Sequence, residues 1–161
     1  MRTPRSNDRV VLDANVLADW LLFAVARRPS TRAQAAQRVY DTCCVVTYST
    51  PLRKEAVGAA HHRGVRLPRE TILEWLCRVV REGKLRRASK GQVAGAKLDA
   101  ELRRRLPAED VHVVELAVAS RAVLVVSDDT NLVAASPAVL RAHDIEVVSP
   151  TTLLDRLGPA P

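Results

Sequence analysis

Five acidic side chains stand where the chain is expected to pass from a strand into the next helix, or within such a helix: Asp13, Glu55, Asp110, Asp128 and Asp129. The carboxyl ends of parallel strands meet at one edge of a sheet, so we expect these carboxylates to lie close together. Clustered carboxylates repel one another and lose hydration, and they therefore take up protons or bind a cation. Mg²⁺ and Mn²⁺ prefer oxygen ligands and commonly serve phosphate chemistry. The pattern thus predicts a divalent-metal site that acts on phosphate esters.

The chain as a whole is basic, although the predicted site is acidic. Its 161 residues include 25 Lys and Arg against 18 Asp and Glu, which gives a formal net charge of +7. Such an excess favours nucleic acid as the partner, although an Arg-rich and Ala-rich composition also follows from a GC-rich genome. The runs Arg86–Arg87 and Arg103–Arg105 are candidate backbone contacts, although such runs are usually solvated surface.

Short β-branched or apolar runs alternate with longer helical patterns along the chain. The predicted strands are Arg9–Asp13, Cys44–Tyr48, Lys84–Ala88 (an edge strand), Val123–Val126 and Ile145–Val148. This alternation predicts an α/β fold, a three-layer α/β/α sandwich with a central, mostly parallel sheet of four to five strands. We expect a single domain over residues 1–161, with its core at about residues 9–157.

The sequence also predicts three local features: a helix cap, a loop and the role of a histidine. Asn15 is predicted to cap the apolar helix Val16–Ala26, and the segment Gly91–Gly95 is predicted to be a loop. His112 follows Asp110 by two residues, nearly the opposite face of a helix, which favours a structural role for the histidine.

The expected compartment is the cytoplasm. Three cysteines form no CxxC pair, and their odd number suits a reducing environment. The N-terminal residues are polar and basic, unlike a secretory signal, and no apolar run is long enough to span a bilayer. The sequence therefore predicts a soluble protein without a membrane partner.

Four motifs in the expected order resemble those of PIN-domain nucleases, a family that includes VapC-like toxins. They are LDANVL (Leu12–Leu17), Glu55 in LRKEA, EDVHVVELAVAS (Glu109–Ser120) and VVSDDTNL (Val125–Leu132). The likeness covers about residues 9–157. It implies the PIN fold, a parallel sheet sandwiched by helices, and Mg²⁺- or Mn²⁺-dependent hydrolysis of phosphodiester bonds, usually in RNA.

The resemblance also implies roles for single residues. The catalytic, metal-binding acids would be Asp13, Glu55, Asp110 and Asp129. Asp13, Asp110 and Asp129 would hold the metal, while Glu55 would bind a second ion or orient the attacking water. Asp128 replaces Asp129 as the ligand if the alignment shifts by one residue.

Three further positions have supporting roles by resemblance. Ser127 matches the family's hydroxyl position, and Asn15 matches the polar residue two positions after the first acid. Asn131 falls where many relatives carry another acid, so this chain departs from the family there, which weakens the case for a second tightly held metal.

The implied function is that of an endoribonuclease, which in VapC-like relatives is the toxin of a toxin–antitoxin pair. The expected partners are RNA, a cognate antitoxin protein and a second copy of the chain. One alternative is a non-catalytic RNA-binding or regulatory module with the same fold. A haloacid-dehalogenase-like phosphatase ranks lower, because it needs an acid two residues after the first and Asn15 stands there.

Overall fold

Strands and helices alternate throughout the computed structural model, which describes residues 3–42, 44–63 and 68–159. The strands are β1 (Arg9–Leu12), β2 (Val45–Tyr48), β3 (Leu85–Arg87), β4 (Leu124–Val126) and β5 (Glu146–Val148). The helices are α1 (Ala14–Ala26), α2 (Thr31–Asp41), α3 (Thr50–His62), α4 (Arg69–Arg81), α5 (Lys90–Gly95), α6 (Ala100–Arg105), α7 (Val111–Ser120), α8 (Thr130–Ala134), α9 (Ser136–His143) and α10 (Pro150–Leu157).

The strands form one sheet in the order β3-β2-β1-β4-β5, and every pairing among them is parallel. In the centre, Val10 is in register with Val46 of β2 on one side and with Leu124 of β4 on the other. Val10–Leu12 of β1 and all of β4 are buried on both faces, as their continuous apolar sequence requires. The α/β class, the parallel sheet and the edge position of β3 are therefore confirmed.

Helices cover both faces of the sheet. The right-handed crossovers expected for parallel strands place α1 to α4 on one face and α5 to α9 on the other. The packing agrees with this arrangement, since α1 contacts α2, α3 and α4, whereas α7 contacts α5 and the central strands. Helix α10 packs on α2, which returns the end of the chain to the first face. The three-layer sandwich expected from the sequence is the observed architecture.

The direction of the connections reverses between β1 and β4. The chain leaves β1 towards β2 and leaves β4 towards β5, so the two neighbouring strands send their connections to opposite sides. In open parallel sheets a crevice forms at such a switch point, outside the carboxyl ends of the strands. The residues that directly follow β1 and β4 line this crevice.

Two local predictions were wrong. Asp13, rather than Asn15, caps α1, because its carboxylate accepts a hydrogen bond from the amide of Ala14. The segment predicted as a loop at residues 91–95 belongs to α5. Ser89 and Gln92 form a reciprocal capping box at the start of α5, and this signal outweighs the two glycines.

Helix α1 is held in place by a cluster of aromatic rings. Trp20 is 1% exposed and packs edge-on against Trp75 of α4, with ring centroids 4.8 Å apart. It also contacts Tyr40 of α2 and donates a hydrogen bond from Nε1 to Gln37. Within the described ranges, no helix has both the length and the apolar character needed to cross a bilayer.

Replacing Trp20 with alanine should lower the free energy of unfolding by about 3–5 kcal/mol, because it leaves a cavity between three helices. Trp20→Phe should lower it by less, since part of the ring packing remains. Urea unfolding followed by far-UV circular dichroism measures both changes. A loss below about 1 kcal/mol for the alanine variant would contradict the central position of this side chain.

Candidate functional site

Asp13 is fixed at the carboxyl end of β1 by three hydrogen bonds. Its backbone amide donates to the carbonyl of Val126 at 2.9 Å, which extends the β1–β4 pairing by one step. Ser127 donates from its hydroxyl to Oδ2 of Asp13 at 2.7 Å, and the amide of Ala14 donates to Oδ1 at 2.6 Å. Both Asp13 and Ser127 are buried, so the Asp13 carboxylate has a single well-defined orientation.

Asp129 is placed by the same serine. The hydroxyl of Ser127 accepts a hydrogen bond from the amide of Asp129 at 3.1 Å. The Asp129 carboxylate caps α8, accepting from the amides of Asn131 at 2.8 Å and Leu132 at 2.9 Å through one oxygen. Ser127 therefore couples the two acids that follow β1 and β4.

Asp110 lies in the connection between β3 and β4. It ends a short 3-10 turn, Ala108–Asp110, immediately before α7. Its side chain is buried, and its Oδ2 atom makes no hydrogen bond within the described part of the chain. A buried carboxylate oxygen without a donor is unusual and needs a physical explanation.

The aspartates perturb one another electrostatically. Burial, together with the negative charges of Asp13 and Asp129, raises the pKa of Asp110 to about 6. Burial also raises the pKa of Asp13, against the hydrogen bonds from Ser127 and Ala14, which lower it. The sequence-predicted acids Asp13, Asp110 and Asp129 thus share one electrostatic environment.

Glu55 reaches this cluster through His112. Its carboxylate oxygen Oε2 lies 3.2 Å from Nε2 of His112, without the alignment of a hydrogen bond, and the Glu55 side chain is half-exposed. His112 in turn lowers the pKa of both Asp13 and Asp110. The sequence analysis favoured a structural role for His112 from its spacing to Asp110; its charge nevertheless acts on the carboxylates of both Asp13 and Asp110.

Asp128 takes part in a second ionic network, which includes Arg32. Its carboxylate pairs with Arg32 of α2, which also lies 3.6 Å from the buried carboxylate of Asp19 in α1. Arg63 pairs with Asp19 and donates to the side-chain oxygen of Asn15 at 2.8 Å. Asp128 nevertheless lies near enough to Asp13 for its charge to raise the pKa of Asp13. Asn15 is exposed and takes part in this network.

Asn131 lies at the first turn of α8 with an exposed side chain. Its backbone amide donates to the carboxylate of Asp129, and this hydrogen bond places Asn131 next to that acid. An amide at this position adds no negative charge to the site.

The sequence analysis missed Asp19, Arg32 and Arg63 as parts of this region. Asp19 interrupts the apolar sequence of α1, and a charged residue buried in such a helix must be paired. That signal shows that a cation is needed, but it does not reveal which of 25 basic residues supplies it.

The donors of the candidate site are carboxylate oxygens, which are the ligands that hard divalent cations prefer. As the side chains stand, no group of three His, Cys, Asp or Glu residues in the described ranges could hold a metal ion together. The carboxylates of Asp13 and Asp129 nevertheless act electrostatically on Asp110, which has a buried oxygen without a donor among the described residues. These features suit Mg²⁺ or Mn²⁺ better than a softer ion.

Neither the comparison with models of known families nor the comparison with curated proteins finds a match to this chain.

The raised pKa of Asp110 has a consequence for stability in the absence of metal. The folded protein binds a proton at Asp110 more tightly than the unfolded chain, whose value is 3.8. The stabilisation is therefore complete below about pH 4 and is lost as the pH rises through about 6. Asp110→Asn should gain stability relative to the wild type over this range, as measured by urea unfolding in EDTA.

The matched control is Asp155→Asn, which changes an exposed carboxylate on α10. The difference in the free energy of unfolding between Asp155→Asn and the wild type should be the same at about pH 4 and at about pH 6. Parallel pH dependence for the wild type and Asp110→Asn would show that Asp110 ionises normally.

Proposed function

We propose that this chain is a metal-dependent endoribonuclease of the PIN type. The observation that carries the proposal is the partnerless buried oxygen of Asp110, which stands in the field of Asp13 and Asp129. A bound divalent cation would satisfy that oxygen and offset the repulsion among the three charges. The resemblance of the four motifs and the PIN-like order of acids along the chain support the same reading.

Asp13, Asp110 and Asp129 would hold the ion. When bound, Mg²⁺ or Mn²⁺ supplies an activated water and stabilises the negative charge that develops on the phosphate. Ser127 keeps the Asp13 carboxylate in place and orients the backbone of Asp129. The protein's own contribution is thus a fixed set of oxygen donors at the switch point.

Glu55 and His112 would act beside these donors. Glu55 is half-exposed and close to His112, so the pair can orient a water molecule or accept its proton at the carboxylate. The neutral Asn131 adds no charge that a second tightly held ion would need. We therefore propose one strongly bound metal, with Glu55 as the ligand for any weaker second ion.

RNA is the proposed substrate and the cytoplasm the proposed compartment. The net charge of +7 supports binding to a polyanion. The apolar residues of α1 give less support to an antitoxin or dimer interface, because Val16, Leu17, Trp20 and Leu21 are buried within this chain. An antitoxin and a second copy stay predictions from the resemblance.

Cleavage of labelled single-stranded RNA with Mg²⁺, Mn²⁺ or EDTA tests the function. Asp13→Asn, Asp110→Asn and Asp129→Asn should each reduce cleavage by more than about 100-fold, because each removes a proposed metal ligand. Asp128→Asn is the matched control, since Asp128 pairs with Arg32, and it should retain activity within about tenfold.

Two outcomes would contradict the proposal. The first is cleavage that persists in EDTA. The second is RNA binding by the wild type without any cleavage in Mg²⁺ or Mn²⁺, which would favour the non-catalytic RNA-binding module.

A further inference from the structure

A cleft of about 660 Å³ opens beside the aspartate cluster, and the roles proposed above do not use it. It lies between the N-terminus of α3, the helix α5 and the first turns of α7. Its volume falls within the range of roughly 300–1,000 Å³ that small-molecule sites occupy. The cleft is therefore large enough to enclose part of a substrate.

The walls of the cleft are mainly apolar, and its rim is cationic. Pro51, Val93 and Leu98 are among the apolar lining residues. Lys90 and Lys97 are exposed at the rim, and neither makes an ion pair with a described residue. Apolar walls with uncompensated positive charge at the rim complement a base attached to a phosphate.

Arg103 adds a planar group to the same cleft. Its guanidinium pairs with Glu115, and both residues line the cleft. This ion pair holds Arg103 in place, and a guanidinium plane is a surface on which a nucleotide base can stack. Arg103 belongs to the basic run of α6 that the sequence analysis identified as a candidate nucleic-acid contact.

The cleft adjoins the candidate site at His112. This residue lines the cleft, lies 3.2 Å from Glu55 and acts electrostatically on Asp13 and Asp110. His112 thus connects the cleft with the acids that would act on a neighbouring phosphate.

We propose that this cleft binds one nucleotide of single-stranded RNA, next to the phosphate that is cleaved. The inference rests on the proposed function and names where that substrate lies. The base contacts the apolar walls and the guanidinium of Arg103, while Lys90 and Lys97 hold the adjoining phosphate. Single-stranded RNA is required, because a base in a duplex cannot leave its stack to enter a pocket at low cost.

Binding in EDTA separates this inference from the chemistry. The probe is a fluorescent single-stranded RNA of about twelve nucleotides and mixed sequence, followed by fluorescence anisotropy at fixed ionic strength. The double variant Lys90→Glu/Lys97→Glu should weaken binding by about tenfold or more, since it reverses two phosphate contacts. Both positions are exposed, and glutamate suits the first turn of α5, so the variant should fold.

The control reverses the same number of charges elsewhere. Arg69→Glu/Arg78→Glu alters two exposed residues of α4, on the other face of the sheet, and should weaken binding by less than about threefold. A further variant, Ala94→Leu, places a larger side chain in the lining of the cleft without changing the charge. It should also weaken the binding of RNA.

The outcomes distinguish the two proposals. Equal losses of RNA affinity in the two double variants would overturn the cleft as the nucleotide site, even if the wild type cleaves RNA. Unchanged RNA affinity in Lys90→Glu/Lys97→Glu would do the same. Selective loss of binding in a protein that never cleaves RNA would support the cleft and contradict the nuclease. Absence of RNA binding by the wild type would overturn the cleft proposal directly.

Discussion

Burial of carboxylates dominates the electrostatics at the carboxyl edge of this sheet, and repulsion between the carboxylates adds to its cost. Asp13 and Asp110 are held out of water, in the field of each other and of further acids, and burial raises the pKa of both. Each charge would be more stable in water, so the arrangement persists only because the surrounding fold dictates it. Such perturbed groups in a crevice are typical of functional sites.

The fold imposes this arrangement through the pairing of β1 with β4. Their parallel register places Asp13 beside Val126, and the next residue, Ser127, bonds to Asp13 through its hydroxyl. The same hydroxyl orients Asp129. A single buried serine thus links the acids of two strands that are more than one hundred residues apart in the chain. The neighbouring Asp128 differs from these acids, because it is paired with Arg32, although its charge still acts on Asp13.

The sequence was informative where a local pattern has one structural meaning. Apolar runs that end in acids predicted β1 and β4, and with them the position of Asp13 and Asp129 at one edge of the sheet, since parallel strands leave few alternatives. The sequence was uninformative where tertiary contacts decide. The charge of His112 acts on the carboxylates of Asp13 and Asp110, and residue spacing did not reveal this interaction. The partners of Asp19 are distant in sequence and equally could not be deduced.

Calorimetric titration of the wild type with Mn²⁺ tests the central claim most directly. If the raised pKa of Asp110 and the metal site are one feature, binding at about pH 6 should release close to half a proton from Asp110, and less at about pH 7.5. Titration in buffers of different ionisation enthalpy measures this release. The Asp110→Asn variant should bind Mn²⁺ weakly and should not release this proton. No Mn²⁺ binding by the wild type, or binding that Asp110→Asn leaves unchanged, would contradict the account.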